Sequence, residues 1–337
     1  MNSLSDLFWQ AYVYNFLFWA GLAQGIIIFA AVLNITGARW GRRYIQLGSY
    51  AQDFLTACVV LYVILLFGRT HIFPWIAHPV PEKAAYLNVP FLAARGLVGL
   101  AILALLSRKF LASRGITSSG DRENASPWAV ALVMAFMVVF SYLAFDLIMS
   151  LEPEWYSTLL GAHYAVGSFY LGIAGLCIIG IFRGGVPSED RRKLSQLLFG
   201  FSLFWVSLLW SQYIVIWYGD IPAEARFLYL RFYQAPWKNI SYAVLALAFV
   251  FPFVMLMPMR AKMIGLAPLF ASFSIALGLF FEKYLLVIPS LSPQESTFGW
   301  VHLLVTALFG ALFVASYRRS MRRALPIMEV SSGGQHA

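Results

Sequence analysis

Apolar residues in this chain come in blocks of about 20 rather than alternating with polar ones. Nine such blocks fall near residues 12–33, 49–67, 88–107, 127–150, 159–182, 194–217, 239–258, 266–288 and 298–317. That is the length a helix needs to cross the hydrocarbon core of a bilayer. A helix is the expected form, because it satisfies its own backbone hydrogen bonds in lipid. The alternating segments of roughly ten residues that mark a membrane β-barrel are absent. The pattern predicts an all-α polytopic membrane protein with about nine transmembrane helices, the whole chain forming one integral membrane domain. Residues 1–11 lack the charged leader and small-residue cleavage site of a signal peptide, so the first block is expected to be retained.

Composition agrees: of 337 residues, 61% are hydrophobic and only 12% charged, about half the charged share of an average soluble chain. A net charge of +9 ordinarily raises the question of nucleic acid, but here it resolves into topology. Arg39, Arg42 and Arg43 follow the first block, and Arg108, Lys109, Arg114 and Arg122 the third. Arg183, Arg191, Arg192 and Lys193 follow the fifth, Arg260 and Lys262 the seventh, and Arg318, Arg319, Arg322 and Arg323 the ninth. Seventeen of the 24 basic residues thus share one side, which the positive-inside rule assigns to the cytoplasm. The N-terminus is expected outside and the C-terminus inside, with lipid and not nucleic acid around the chain.

The scarcer polar residues collect on the other side. His71, His78, His163 and His302 fall at or near outer span ends, as do Asp146, Glu152, Glu154, Asp220, Glu224, Glu282, Lys283 and Glu295. Interfacial belts of Trp and Tyr with polar loops account for many such residues singly; together they mark the outer surface as the working face. No block carries two facing histidines for a bis-histidine haem, and no CxxC or Cys/His cluster accompanies Cys58 and Cys177. No metal-ligated or covalently bound cofactor is expected.

Charges inside the blocks are costly unless paired or hydrated. Arg95 and Asp146 reach similar depths on consecutive spans and are expected to pair, either structurally or functionally. Asp53, one turn into the second span, can take protons from the cytoplasm or simply reach the interface; the second reading is the commoner for such a position. Glu282 and Lys283 are neighbours on one helix and are expected to point to different faces, each free to pair across helices. Two stretches stand out. Residues 146–163, DLIMSLEPEWYSTLLGAH, place carboxylates around Pro153 ahead of Trp155 and Tyr156. Residues 210–238 run from Trp210, Gln212, Tyr213 and Trp217 to Asp220 and Glu224. Carboxylates beside Tyr, Trp and His suit proton movement and quinol contact, and equally an interface belt or a subunit contact.

These stretches carry a resemblance. The segments MSLEPEWYSTLLGAHYAVGSF (149–169) and SQYIVIWYGDIPAEARFLYLR (211–231) resemble the NrfD-like (polysulfide-reductase membrane subunit) superfamily. So do HPVPEKAAYLNVPFLAAR (78–95), FPFVMLMPMRAK (251–262) and FEKYLLVIPS (281–290), and the chain is most similar to the ActF-type subunit of bacterial alternative complex III. The resemblance implies two four-helix bundles, spans two to five and six to nine (49–182 and 194–317), with the first helix outside them and residues 318–337 as a basic tail. It implies a subunit of a quinol:electron-acceptor oxidoreductase, working with an ActC-type paralogous membrane subunit, an iron–sulfur/molybdopterin-like subunit and c-type haem subunits. Redox centres would lie in those partners, and quinol or menaquinol would bind chiefly to the ActC-type paralogue. The chain departs from ActF-type relatives in lacking an extra N-terminal helix that they often carry.

On this reading Asp146, Glu152, Glu154 and His163 are the expected outer-side proton acceptors or exit relay, since quinol oxidation releases protons. Asp53, Glu282 and Lys283 are expected on an internal path. Trp155, Tyr156, Trp210, Gln212, Tyr213, Trp217, Asp220 and Glu224 are candidates for quinol or subunit contact. The rivals are a purely structural anchor for redox subunits and a quinone-reactive subunit of a molybdopterin oxidoreductase. An independent secondary transporter is less favoured, because no internal repeat or broken midplane helix is evident.

Overall fold

The computed structural model describes residues 3–38, 40–113, 126–260, 262, 266–294 and 298–333, with side chains described as far as 323. Among these are nine helices long and apolar enough to cross a membrane. They are α1 (Leu4–Ile35), α2 (Arg42–Phe67), α3 (Val89–Ser113), α4 (Pro127–Leu151), α5 (Leu159–Arg183), α6 (Ser188–Gly219), α7 (Trp237–Leu256), α8 (Leu266–Leu291) and α9 (Trp300–Arg323). No strand occurs among the described residues. Each predicted block overlaps one helix over nearly its whole length. Arg39, Arg114, Arg122 and Glu295 lie outside the described residues.

Several helices begin earlier than their apolar blocks because polar residues start them. Ser3 and Asp6 form a reciprocal cap: Asp6 N–H donates to Ser3 Oγ at 3.1 Å and Ser3 N–H to the Asp6 carboxylate at 2.9 Å. Helix α6 opens with Glu189 and Asp190 in its first turn, where the positive end of the helix dipole favours acids.

The first helix is not at the periphery. Most of its apolar stretch is buried, and it touches α2, α4, α5, α8 and α9. Contacts close into one ring of α1, α2, α3 and α4 and a second of α5, α6, α7 and α8, while α9 packs on α1 and α2. The resemblance implies another grouping, spans two to five and six to nine as bundles with the first helix outside; among the described residues α1 touches helices of both rings. The reason is glycine. An added Cβ on Gly25 would sit 2.1 Å from Ser168 O, and one on Gly172 2.2 Å from the Gly25 carbonyl carbon. The α1 and α5 backbones consequently touch, which fixes α1 at the centre; small residues drive helix association in lipid, where apolar burial supplies no bias. Aromatic side chains of α9 complete the contact: Phe309 meets Tyr12 at 5.0 Å and Phe313 meets Phe54 at 5.2 Å between ring centres.

Helix α7 contains a π-helical segment, Ala246–Val250, just before Pro252. Proline has no N–H for the carbonyl four residues earlier, so Ala248 O is freed and accepts from Tyr170 Oη at 3.1 Å. Ser274 Oγ donates to Leu247 O at 2.7 Å. The irregularity is thus satisfied by α5 and α8 rather than left open in lipid.

Candidate functional site

At the end of the molecule opposite the basic loops that follow α1, α3 and α5, three polar networks sit among the helices. The most buried joins α5, α6 and α8. His163, in the second turn of α5, places Nε2 2.6 Å from Glu282 Oε1 on α8. Trp205 Nε1 of α6 donates to the same oxygen at 3.1 Å, and Lys283 Nζ donates to Glu282 Oε2. Exposure of His163, Glu282 and Lys283 is 2%, 4% and 1%. Lys283 Nζ also lies over the Tyr164 ring, 5.0 Å from its centre.

Glu282 and Lys283 were expected to point to different faces, and here the structure differs. Their backbones are a third of a helical turn apart, but the four-carbon lysine stem bridges that angle. For an ammonium this buried, the adjacent carboxylate is the partner that offsets the cost of its burial. His163 Nδ1 has no hydrogen-bond partner among the described residues. The cluster thus combines a carboxylate, an amine and an imidazole with one open nitrogen.

The second network holds Arg95 and Asp146. Arg95 Nη2 lies 2.7 Å from Asp146 Oδ1 and Nε 3.2 Å from Oδ2, a bidentate pair. Tyr86 Oη donates to Asp146 Oδ1 at 2.9 Å, and Arg95 Nη1 donates to Tyr86 O at 3.3 Å. The guanidinium lies near the rings of Tyr86 and Phe91, 3.9 and 4.1 Å from their centres. Tyr86 belongs to the loop before α3; burial, and then the Asp146 carboxylate, push its phenol pKa upward.

The third network was missed by the sequence reading. Arg231, at 2% exposure, ends the loop helix Pro222–Phe232 and donates from Nη1 to Glu152 Oε1 at 3.1 Å. Its Nε donates to Leu285 O at 3.0 Å, and its Nη2 to Leu286 O at 3.1 Å and Ser290 Oγ at 2.7 Å. Ser290 Oγ in turn donates to Glu152 Oε1 at 2.5 Å. Leu285 O is available because Pro289, four residues on, has no N–H. Phe227 lies beneath the guanidinium at 3.5 Å and stacks on Trp155 with centres 3.6 Å apart and planes 1° apart. Burial pulls the Arg231 pKa down to about 10, and the Glu152 carboxylate opposes that pull, so the group stays charged at neutral pH. The available signal was a proline inside the apolar α8 sequence together with an arginine in the LYLRFY run.

The remaining candidates are dispersed. Asp53 is at the arginine-rich end, 3.7 Å from Arg323 Nη1 and partly exposed, so it is not brought to the buried cluster. Glu154 and Tyr156 are exposed loop residues. Trp210 stacks on Tyr213 at 5.6 Å, and Tyr213 Oη meets Tyr233 Oη at 2.6 Å. Gln212 is buried, Trp217 is exposed, and Asp220 ends α6 in a left-handed conformation at φ 43°. Glu224 lies in the first turn of the loop helix. His302 is buried against Tyr14 Oη at 3.2 Å, and His71 pairs with Asp6 at 2.8 Å. Among the described residues no three His, Cys, Asp or Glu side chains gather to hold a metal ion. Cys58 and Cys177 are buried on different helices. No protein-family model matches the chain, and no curated protein matches it.

Proposed function

We propose that this chain is a non-haem membrane subunit of a quinol-oxidising respiratory complex of the alternative complex III type, in a bacterial cytoplasmic membrane. In that complex it supports quinol oxidation by moving or holding protons near the outer face. The observation that carries the reading is the buried His163–Glu282–Lys283 cluster, three proton-exchanging groups in contact inside a nine-helix membrane protein. A proton that reaches the open Nδ1 of His163 can leave from Nε2 towards Glu282 Oε1, 2.6 Å away, with Lys283 donating to the other carboxylate oxygen. Quinol itself would react on the ActC-type partner, with iron–sulfur and c-type haem subunits taking the electrons. The donor set here fits neither centre: the cysteines are isolated, and His163 Nε2 is already engaged by a carboxylate.

The test is made on the assembled complex, purified with its partners. Glu282→Gln and His163→Ala should lower quinol oxidation or its associated proton release at least tenfold while the subunits still co-purify. Unchanged rates and proton stoichiometry in an intact complex would remove the relay.

A second reading, a structural anchor, is favoured by the satisfaction of the other two networks. Both Asp146 oxygens and all three Arg231 nitrogens have partners, as a rigid scaffold needs. It predicts that the same substitutions change only assembly.

A further inference from the structure

The Arg95–Asp146 network borders a groove on the flank of α3 and α4 that it does not fill. The inner stretch, about 540 Å³, runs between Val98 and Ile102 of α3 and Val138, Tyr142 and Leu143 of α4. The outer stretch, about 490 Å³, lies under the α2–α3 loop, between Glu82, Lys83 and Leu87 and the Phe145 and Met149 side of α4. Tyr86 and Tyr142 line both, so the two are successive lengths of one groove. From Val138 to Ser150 it follows α4 for about 18 Å, at about 1.5 Å per residue. Half the hydrocarbon core of a bilayer is about 15 Å thick. The groove therefore has the length of one leaflet, with a charged mouth at the loop and an apolar end beside the middle of α4.

Its walls disfavour two occupants. Val98, Ile102, Val138 and Tyr142 are exposed, so the inner stretch opens sideways to the membrane. A partner helix would need small residues there to approach closely. The glycines of α3 face the other way: a Cβ added to Gly96 would meet the Tyr62 ring, and one on Gly99 would meet Val139. A quinone head would need free donors to its carbonyls. Tyr86 and Arg95, the less exposed donors at that depth, are held by the Asp146 carboxylate and Tyr86 O. Tyr142 remains, a single exposed phenol at the junction of the two stretches.

The mouth indicates the headgroup. Glu82 and Lys83 are neighbours in the turn Pro81–Lys83, and both line the outer stretch. No ion pair among the described residues uses either charge. Lys83 Nζ donates to Pro153 O, but an ammonium has three donors, so others remain for a ligand. Opposite charges side by side suit a head that carries a phosphate and an ammonium on one short linker. An anionic head would meet Glu82 as well as Lys83, and a neutral one would leave both without a partner. We propose that this groove holds one acyl chain of a zwitterionic phospholipid, with its phosphate on Lys83 and its ammonium on Glu82. The inference rests on the nine-helix membrane architecture and stands apart from the proposed function.

The full-length protein is placed in nanodiscs of mixed phosphatidylethanolamine and phosphatidylglycerol. A trace of one lipid or the other carries a diazirine midway along an acyl chain, and adducts formed on irradiation are mapped by peptide mass spectrometry. The expected adduct falls on 98–102 or 138–143, with phosphatidylethanolamine favoured a few-fold, the size that exposed ion pairs support. Val98→Trp and Ile102→Trp fill the inner stretch and should each cut the yield severalfold. Met134→Trp, exposed on α4 but outside the groove, should leave it unchanged. Glu82→Lys makes the mouth wholly cationic and should reverse the preference towards phosphatidylglycerol. Adducts spread evenly along α3 and α4 overturn the proposal, as does a yield indifferent to both tryptophan variants. A phosphatidylethanolamine preference that survives Glu82→Lys overturns it too. So does displacement of the adduct by an equal trace of a long-chain quinone, or, in native membranes, a polypeptide adduct to benzoylphenylalanine placed at Val98.

Discussion

Replacing Glu282 by glutamine strips two buried cation-capable groups of their carboxylate while changing almost no volume. Removing one partner of a buried ion pair costs roughly 3–5 kcal/mol, because the other charge is left unpaired. Glu282→Gln is expected to lower the thermal midpoint of the detergent-solubilised protein, and Glu282→Gln with Lys283→Met should recover much of the loss. A double variant no more stable than the single one would show that Lys283 is not charged against Glu282. Arg95 and Asp146 allow a parallel measurement. With two hydrogen bonds between them, Arg95→Leu and Asp146→Leu should be non-additive by roughly 1–3 kcal/mol in unfolding free energy. Their pairing was legible in the sequence because consecutive spans place them at matching depths. Arg231 was not: its partners Glu152, Leu285, Leu286 and Ser290 lie 54 or more positions away along the chain, and nothing local distinguishes it from a loop arginine. The same holds for His163, assigned to an outer relay while Glu282 was assigned to an internal path. Their contact joins positions 119 residues apart.

At the scale of elements, the α1–α5 contact depends on the absence of side chains. Gly25→Ala would drive a methyl group into Ser168 O, and because that obstacle is backbone, one helix must shift. The expected cost is roughly 1–3 kcal/mol or more, seen as a lower melting temperature and poorer recovery from membranes. Gly200→Ala on α6 is the control: nothing lies within 4 Å of the added carbon, so the change should stay within about 1 kcal/mol of neutral and lean towards stabilisation. Equal losses at the two positions would mean that α1 and α5 do not meet as described. The extents of these helices could be read from hydropathy, since lipid demands about 20 apolar residues whatever the neighbours are. Contact partners could not, because α1 is apolar around most of its surface and the glycine positions mark the side that receives α5.

For the whole molecule, the distribution of arginine predicts which end faces the cytoplasm, and a labelling experiment checks it. Both native cysteines are buried, which leaves a quiet background. A cysteine placed at exposed Tyr156 should react with a membrane-impermeant thiol reagent in intact cells or right-side-out vesicles. One placed at exposed Ser188, beside the arginine-rich loop, should react only after permeabilisation. The opposite pattern would invert the topology and place the His163 cluster near the inner face. The sequence by itself determined the class of solvent, the number and limits of the spans, the end at which basic residues collect and the chemistry available at the other end. Each of those follows from local composition: a charge or an apolar run has the same relation to a bilayer wherever its neighbours lie. Only the tertiary structure decided that α1 is central, that the helices close as one to four and five to eight, and that His163, Glu282 and Lys283 share one buried cluster. Those outcomes depend on which surfaces approach closely enough to touch. In a chain apolar on nearly every face, burial does not choose among partners; glycine contacts, freed proline carbonyls and paired charges do.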